Sequence, residues 1–176
     1  MKRSLVAVVL LIFVCCVAVL AQAPAAGTKT DPLLGTWKQN PEKSTPKPPP
    51  GAVNVRQYLL RPDGFMVSTF GGITPQGNPT FNQTTWKYDG KEYLQYTQTT
   101  LPEFSAKGVK LNTNAYRAVD AYTTEIVQKD GSGKPLFTGK RTRVVSKDGK
   151  TLTDTLKGTD ARGQAVNNVA VFDKVQ

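Results

Sequence analysis

The chain has 176 residues, with 23 Lys and Arg against 13 Asp and Glu, and its formal net charge is +10. It contains no His and two Cys. Without imidazole there is no Ser-His or Cys-His nucleophile, no His general base near neutral pH and no His-ligated metal. Few carboxylates remain outside the turn motifs for paired acid–base work. We therefore expect a protein that is not an enzyme and that uses no metal or cofactor.

The N-terminal segment predicts export. Residues 1–3 include two basic side chains, residues 5–20 form an apolar stretch, and residues 19–21 offer small residues to a signal peptidase. We expect residues 1–21 to be a signal peptide and the mature protein to be secreted or periplasmic. A retained membrane anchor is the alternative, but the apolar stretch is shorter than the roughly 20 residues that span hydrocarbon.

Both cysteines, Cys15 and Cys16, lie in this apolar stretch, so the mature chain is expected to have no disulfide. Residues 22–30 are predicted to form a flexible mature N-terminus, and residues 31–176 a single domain that is large enough for one core. We expect a monomer. In an exported basic protein the anionic partners would be envelope lipids or polysaccharides, and no nucleic acid is expected.

Turn motifs divide the chain into short β-rich segments. Four Asp-Gly pairs predict hairpin turns, because Gly tolerates the positive φ that these turns require. Residues 76–79 and 160–163 predict two longer turns. The Asp-Gly pairs begin at Asp63, Asp89, Asp130 and Asp148. The predicted strands are residues 34–39, 53–61, 65–70, 80–88, 92–99, 115–119, 122–128, 136–146, 151–157 and 166–172.

No segment after residue 30 keeps a helical period of apolar residues through three turns. The chain is therefore predicted to be all-β, with antiparallel neighbours joined by short connections. So many strands either close into a barrel or split into two sheets, and closure is favoured because it removes exposed edges. Proline-rich residues 40–51 are expected to be an extended spacer between the first two strands, with a docking strip or lid as the alternative.

The Gly35-Thr36-Trp37 motif in the first predicted strand resembles the start of the lipocalins and fatty-acid-binding proteins, the calycin group. Residues 171–174 are similar to the closing strand of the fatty-acid-binding branch. Residues 31–38 and 146–153 resemble a group of exported bacterial lipocalin-like proteins of unknown role. This resemblance implies an antiparallel up-and-down barrel of about 8–10 strands that holds a small apolar molecule, with Trp37 closing one end.

The last predicted strand departs from the fatty-acid-binding pattern. Where that branch carries an Arg-x-Tyr that binds the ligand carboxylate, this chain has Ala170 and Phe172. A barrel without such a cation is expected to bind neutral apolar probes about as well as fatty acids.

Aromatic residues on different predicted strands could line the barrel or fill its core, and the sequence leaves both possibilities open. Arg141 and Arg143 share one strand face. One of them could reach inward, onto Trp37 or an anionic ligand, but mutual repulsion favours both lying outside. The candidate ligand-binding residues are Trp37, Tyr58, Phe70, Trp86, Tyr96, Tyr116, Phe137, Arg141 and Arg143.

The function expected from these features is the binding of a small hydrophobic or amphipathic molecule. The alternative is a non-enzymatic structural or interaction protein with a packed barrel, whose basic residues 129–150 contact anionic envelope lipid or polysaccharide.

Overall fold

The computed structural model describes residues 30–97 and 111–175. Three predicted features lie partly or wholly outside the described residues. They are the signal peptide, the flexible N-terminus up to residue 29, and the end of the fifth predicted strand at residues 98–99. The ten strands are β1 Gly35–Gln39, β2 Val53–Leu60, β3 Met66–Ile73, β4 Pro79–Trp86, β5 Asp89–Thr97, β6 Thr113–Ala118, β7 Thr123–Lys129, β8 Phe137–Val145, β9 Thr151–Asp160 and β10 Ala165–Val175.

The strands form one closed antiparallel barrel in which each pairs with its neighbours along the chain. β1 pairs with β10, from Thr36 opposite Val175 to Gln39 opposite Phe172, and this contact closes the cylinder. The prediction of an all-β, up-and-down barrel is confirmed. In the part of the chain that the structure describes, no helical segment has the length and apolarity required to span a membrane.

Most of the predicted turns lie where the Asp-Gly pairs indicated. Gly64 and Gly149 adopt positive φ between paired strands, and the preceding Asp accepts a hydrogen bond from a backbone N–H two residues on. Asp89-Gly90 differs, because these two residues open β5 while residues 87–88 make the turn. The register shift between Asp89 and Glu92, as β5 pairs with β6, accommodates the positive φ of Gly90 inside the strand.

We call the two openings of the barrel end A and end B. End A carries segment 30–34, which precedes β1, and the β6–β7 turn of residues 119–122. End B carries the proline-rich connection of residues 40–52 and the β9–β10 turn of residues 161–164. Alternate residues of each strand point inward. The buried apolar core comprises Leu33, Trp37, Tyr58, Met66, Trp86, Tyr116, Ile126, Val145, Leu152 and Phe172.

The proline-rich connection is attached to the outer edge of β10. Thr45 and Val169 exchange backbone hydrogen bonds, with N···O distances of 2.7 and 2.6 Å. The hydroxyl of Ser44 accepts a bond from the backbone N–H of Val171 at 3.1 Å. Because β1 is shorter than β10, this connection satisfies part of the β10 edge that β1 leaves unpaired.

Candidate functional site

An ionic cluster occupies the centre of the barrel. Register places Arg143 of β8 opposite Asp154 of β9, and Arg141 lies on the same inward face. Arg56 reaches the same carboxylate from β2. Asp154 Oδ2 lies 2.5 Å from Arg56 Nη1, 3.0 Å from Arg141 Nη2 and 3.3 Å from Arg143 Nη2, and Oδ1 accepts a bond from Arg141 Nε at 3.0 Å.

These four side chains are withdrawn from solvent. The exposed fractions are 9% for Arg56, 15% for Arg141, 2% for Arg143 and 4% for Asp154. Burial raises the pKa of Asp154, but the guanidinium groups of Arg141, Arg56 and Arg143 together hold it well below its usual value. Three cations therefore share one carboxylate, and the cluster carries an excess of positive charge.

The expectation that Arg141 and Arg143 lie outside the barrel is wrong. Their mutual repulsion is offset because Asp154 contacts both guanidinium groups. The possibility that one of them stacks on Trp37 is also not realised, since the cation over that ring is Lys174, with Nζ 4.9 Å from the ring centroid.

Aromatic rings cover the guanidinium faces. Arg56 Cζ lies 4.1 Å from the ring centroid of Phe172 and 4.7 Å from that of Phe70. Arg143 Cζ lies 5.1 Å from the centroid of Tyr58 and 5.6 Å from that of Phe70. The negative faces of these rings stabilise cations that a single carboxylate does not neutralise.

Several buried donors of the cluster are unused. Within residues 30–97 and 111–175, Arg143 Nε and Nη1, Arg56 Nε and Tyr58 Oη have no hydrogen-bond partner. A buried polar group without a partner costs about 1–3 kcal/mol, and more when it is charged. The cluster therefore has hydrogen-bonding capacity for an additional acceptor.

A cavity of about 480 Å³ opens at end A, and Arg143 forms part of its wall. Leu33 and Val145 contribute apolar surface, and exposed Ala118 and Ala121 lie near the opening. The remaining lining residues are Thr30, Asp31, Pro32, Tyr88, Asp120, Tyr122 and Thr124.

Segment 30–34 forms one side of this cavity and is held in place by hydrogen bonds. Tyr88 Oη donates to Asp31 Oδ2 at 2.7 Å, and the backbone N–H of Leu33 donates to Asp31 Oδ1 at 2.9 Å. The indole of Trp37 donates to the carbonyl of Leu33 at 2.8 Å. Burial and the adjacent Asp31 raise the pKa of Tyr88, so its phenol keeps the proton that it donates.

The predicted aromatic candidates divide between core and surface. Trp37, Tyr58, Trp86 and Tyr116 are buried, and the rings of Trp86 and Tyr116 stack with centroids 3.9 Å apart. Phe70 packs against this core. The barrel therefore has a packed aromatic interior together with a cavity at end A.

Two other candidates do not join this group. Tyr96 alternates with buried Gln95, so it lies on the outward face of β5. Phe137 is half-buried at the start of β8, at end B. Among the predicted candidates, Arg143 is the residue in the lining of the end-A cavity.

Sequence reasoning missed Asp154, Arg56, Asp31 and Tyr88. The sequence could have identified Asp154 as a buried residue, because it shares a strand face with Leu152 and Leu156. An acidic residue at such a position requires a cation. Arg56 shares a face with Tyr58 in the same way. The contact between Asp31 and Tyr88 joins distant parts of the chain and has no local signature.

Four of the seven basic side chains in residues 129–150 are ion-paired. Lys129 pairs with Glu92, and Lys140 Nζ lies 3.1 Å from Glu125. Arg141 and Arg143 bind Asp154 inside the barrel. The outward positive charge of this segment is therefore smaller than its composition indicates.

No model of a known protein family matches the chain, and no curated protein matches it. Among residues 30–97 and 111–175, no group of three or more acidic side chains is placed to hold a metal ion. The closed ten-strand antiparallel barrel is consistent with a calycin-like fold, and such a barrel is compatible with ligand binding.

Proposed function

We propose that this protein is a secreted or periplasmic, non-enzymatic, lipocalin-like barrel that binds a small hydrophobic or amphipathic molecule in the end-A cavity. The observation that carries the proposal is the cavity itself. Its volume of about 480 Å³ falls in the range of roughly 300–1,000 Å³ that is usual for small-molecule sites. Its wall combines apolar side chains with a few polar groups.

The chemistry of the wall supports this function. Leu33, Val145 and the ring of Tyr88 offer surface for an apolar chain, and apolar burial contributes about 25 cal/mol per Å². Arg143, Thr124 and Tyr88 place polar atoms around the same space, where they can bind a ligand's head group. The ion pairs of residues 129–150 weigh against a purely surface-bound anion.

Isothermal titration calorimetry with octanol and octanoate tests the proposal. We expect saturable binding of at least one probe to the mature protein. Ala121→Trp, which adds an indole at the cavity, should abolish most of that binding. Ala161→Trp adds the same group to an exposed position in the turn at end B and should leave binding unchanged.

Equal binding by the wild type and both Trp variants would show that the ligand does not occupy the end-A cavity. Absence of saturable binding of either probe to a folded wild-type protein would contradict the proposed function.

A further inference from the structure

We propose that the end-A cavity orients its ligand. It takes an acidic group at Arg143, presents the ligand's other end to Asp31 and Asp120, and so accepts singly acidic chains and disfavours diacids. This inference rests on the proposed function and specifies the chemistry of the ligand.

The inner end of the cavity favours an anion. Arg143 is 2% exposed, yet it lines the cavity, and its Nε and Nη1 have no partner among the described residues. Burial alone would lower the pKa of this guanidinium, but neighbouring Tyr58 and Asp154 raise it above its ordinary value. The group is therefore a permanent cation with free donors in a site from which water is largely withdrawn.

The existing carboxylate does not neutralise this cation. Asp154 Oδ2 already lies within 3.3 Å of nitrogen atoms from Arg56, Arg141 and Arg143. A ligand carboxylate at Arg143 would reduce the remaining positive charge. It would also form a charge-assisted hydrogen bond, which is roughly twice as strong as a neutral one.

The outer part of the cavity has the opposite charge. Asp31 and Asp120 both line it, and Asp120 is exposed whereas Arg143 is buried. The backbone N–H of Tyr122 donates to Asp120 at 2.7 Å and lowers the pKa of that carboxyl, so Asp120 is negative at neutral pH. A second carboxylate on the ligand would be repelled there, whereas an ammonium or hydroxyl group would be accepted.

This charge arrangement removes the basis for expecting equal binding of neutral and acidic probes. That expectation assumed an interior without a cation, because the final strand has no arginine clamp. The cations come instead from β2 and β8, so a ligand acid has a partner on a different side of the barrel.

Calorimetry with probes of one chain length tests the inference on the mature wild-type protein at neutral pH. The probes are octanol, octanoate, octylamine, octanedioate and the ω-amino derivative of octanoate. We expect octanoate to bind at least about tenfold more tightly than octanol, a difference of about 1.4 kcal/mol. Octanedioate should bind about tenfold more weakly than octanoate, and octylamine weakly, while the ω-amino acid should match or exceed octanoate.

Variants locate each end of the ligand. Arg143→Met should remove the preference for octanoate over octanol while octanol still binds, whereas Arg143→Lys should keep part of it. Thermal melts identify any variant that fails to fold. Asp120→Asn retains an acceptor oxygen for the backbone N–H of Tyr122, and it should narrow the difference in affinity between octanoate and octanedioate.

Equal affinity of the wild type for octanol and octanoate would overturn the inner site while leaving the proposed function intact. Equal affinity for octanoate and octanedioate would overturn the assigned orientation. Failure of every probe to bind would instead count against the proposed function itself.

Discussion

Asp154 shows how one carboxylate can hold three guanidinium groups inside a narrow barrel. Each ion taken from water costs several kcal/mol, and attraction repays this only where the geometry and hydrogen bonds are good. Asp154 accepts hydrogen bonds through both oxygens, and aromatic rings face Arg56 and Arg143. The arrangement depends on the carboxylate staying ionised.

Asp154→Asn is expected to lower the free energy of unfolding by about 3–5 kcal/mol, because it leaves three buried cations without a counter-charge. Urea denaturation at neutral pH measures this loss. Asp173→Asn removes the exposed carboxylate that pairs with Lys43 and should cost less than about 1 kcal/mol. A loss under about 1 kcal/mol for Asp154→Asn would show that the cluster does not depend on its negative charge.

Because Asp154 must stay ionised, we expect the protein to lose stability in acid. The folded-state pKa of Asp154 lies well below the ordinary value. Its contribution is therefore fully present above the unfolded pKa of about 3.9 and is lost as the pH falls toward the folded pKa. We expect the free energy of unfolding, measured by urea denaturation at a series of pH values, to fall less steeply in acid for Asp154→Asn than for the wild type. An equally steep fall would contradict this role of Asp154.

Trp37 allows a test of the packed core of the barrel. Its side chain has no exposed surface, and its indole donates to the carbonyl of Leu33. Trp37→Ala should cost about 3–5 kcal/mol, as large-to-small changes in a core do. Leu60→Ala, at a position that is mostly exposed, is the control and should cost under about 1 kcal/mol. Similar losses for both variants in urea denaturation would refute the assignment of Trp37 to the core.

At the scale of strands, the turn and strand patterns of the sequence predicted all ten strands but misplaced several of the strand ends. The sequence predicted that the strand beginning near Phe65 ends at Phe70, whereas β3 continues through Gly71 and Gly72 to Ile73. Local rules treat glycine as a strand breaker. A Cβ on Gly72 would lie 2.1 Å from the carbonyl oxygen of Val53, so this glycine permits close pairing with β2.

Gly139 of β8 and Gly158 of β9 likewise permit close pairing of their strands. They face each other in the register, and a Cβ on Gly158 would lie 1.9 Å from the carbonyl oxygen of Thr138. Gly158→Ala should therefore destabilise the barrel by about 1–3 kcal/mol, the cost usual for overpacking. Gly71→Ala, whose nearest neighbour would be 3.8 Å away, should be tolerated. Equal unfolding midpoints of the two variants in urea would show that the close approach is not required.

Strand alternation also explains why the faces of Arg141 and Arg143 could not be predicted. Alternation places them on one face, but it does not say whether that face is inside. The answer depends on Asp154 lying opposite Arg143 in β9 and on Arg56 approaching from β2. Such pairings are fixed by register and barrel closure, which a single sequence does not display.

For the whole molecule, the sequence favoured closure because closure removes exposed edges, but it could not show whether the interior is filled or hollow. Ten strands of this kind are compatible with a barrel or a sandwich, and the pairing of β1 with β10 decides between them. Aromatic residues are compatible with a filled or a hollow interior. Their volumes fill the core around Trp86 and Tyr116, while segment 30–34 and the β6–β7 turn bound a cavity at end A.

Amide chemical-shift titration of the isotope-labelled mature protein with octanoate tests the central claim most directly. The account predicts saturable shifts concentrated at end A, in residues 118–124 and 143–145, that follow one dissociation constant. Saturable shifts confined to residues 53–54 and 80–82 near end B, or to exposed Lys147 and Lys150, would contradict binding in the end-A cavity, as would the absence of any saturable shift.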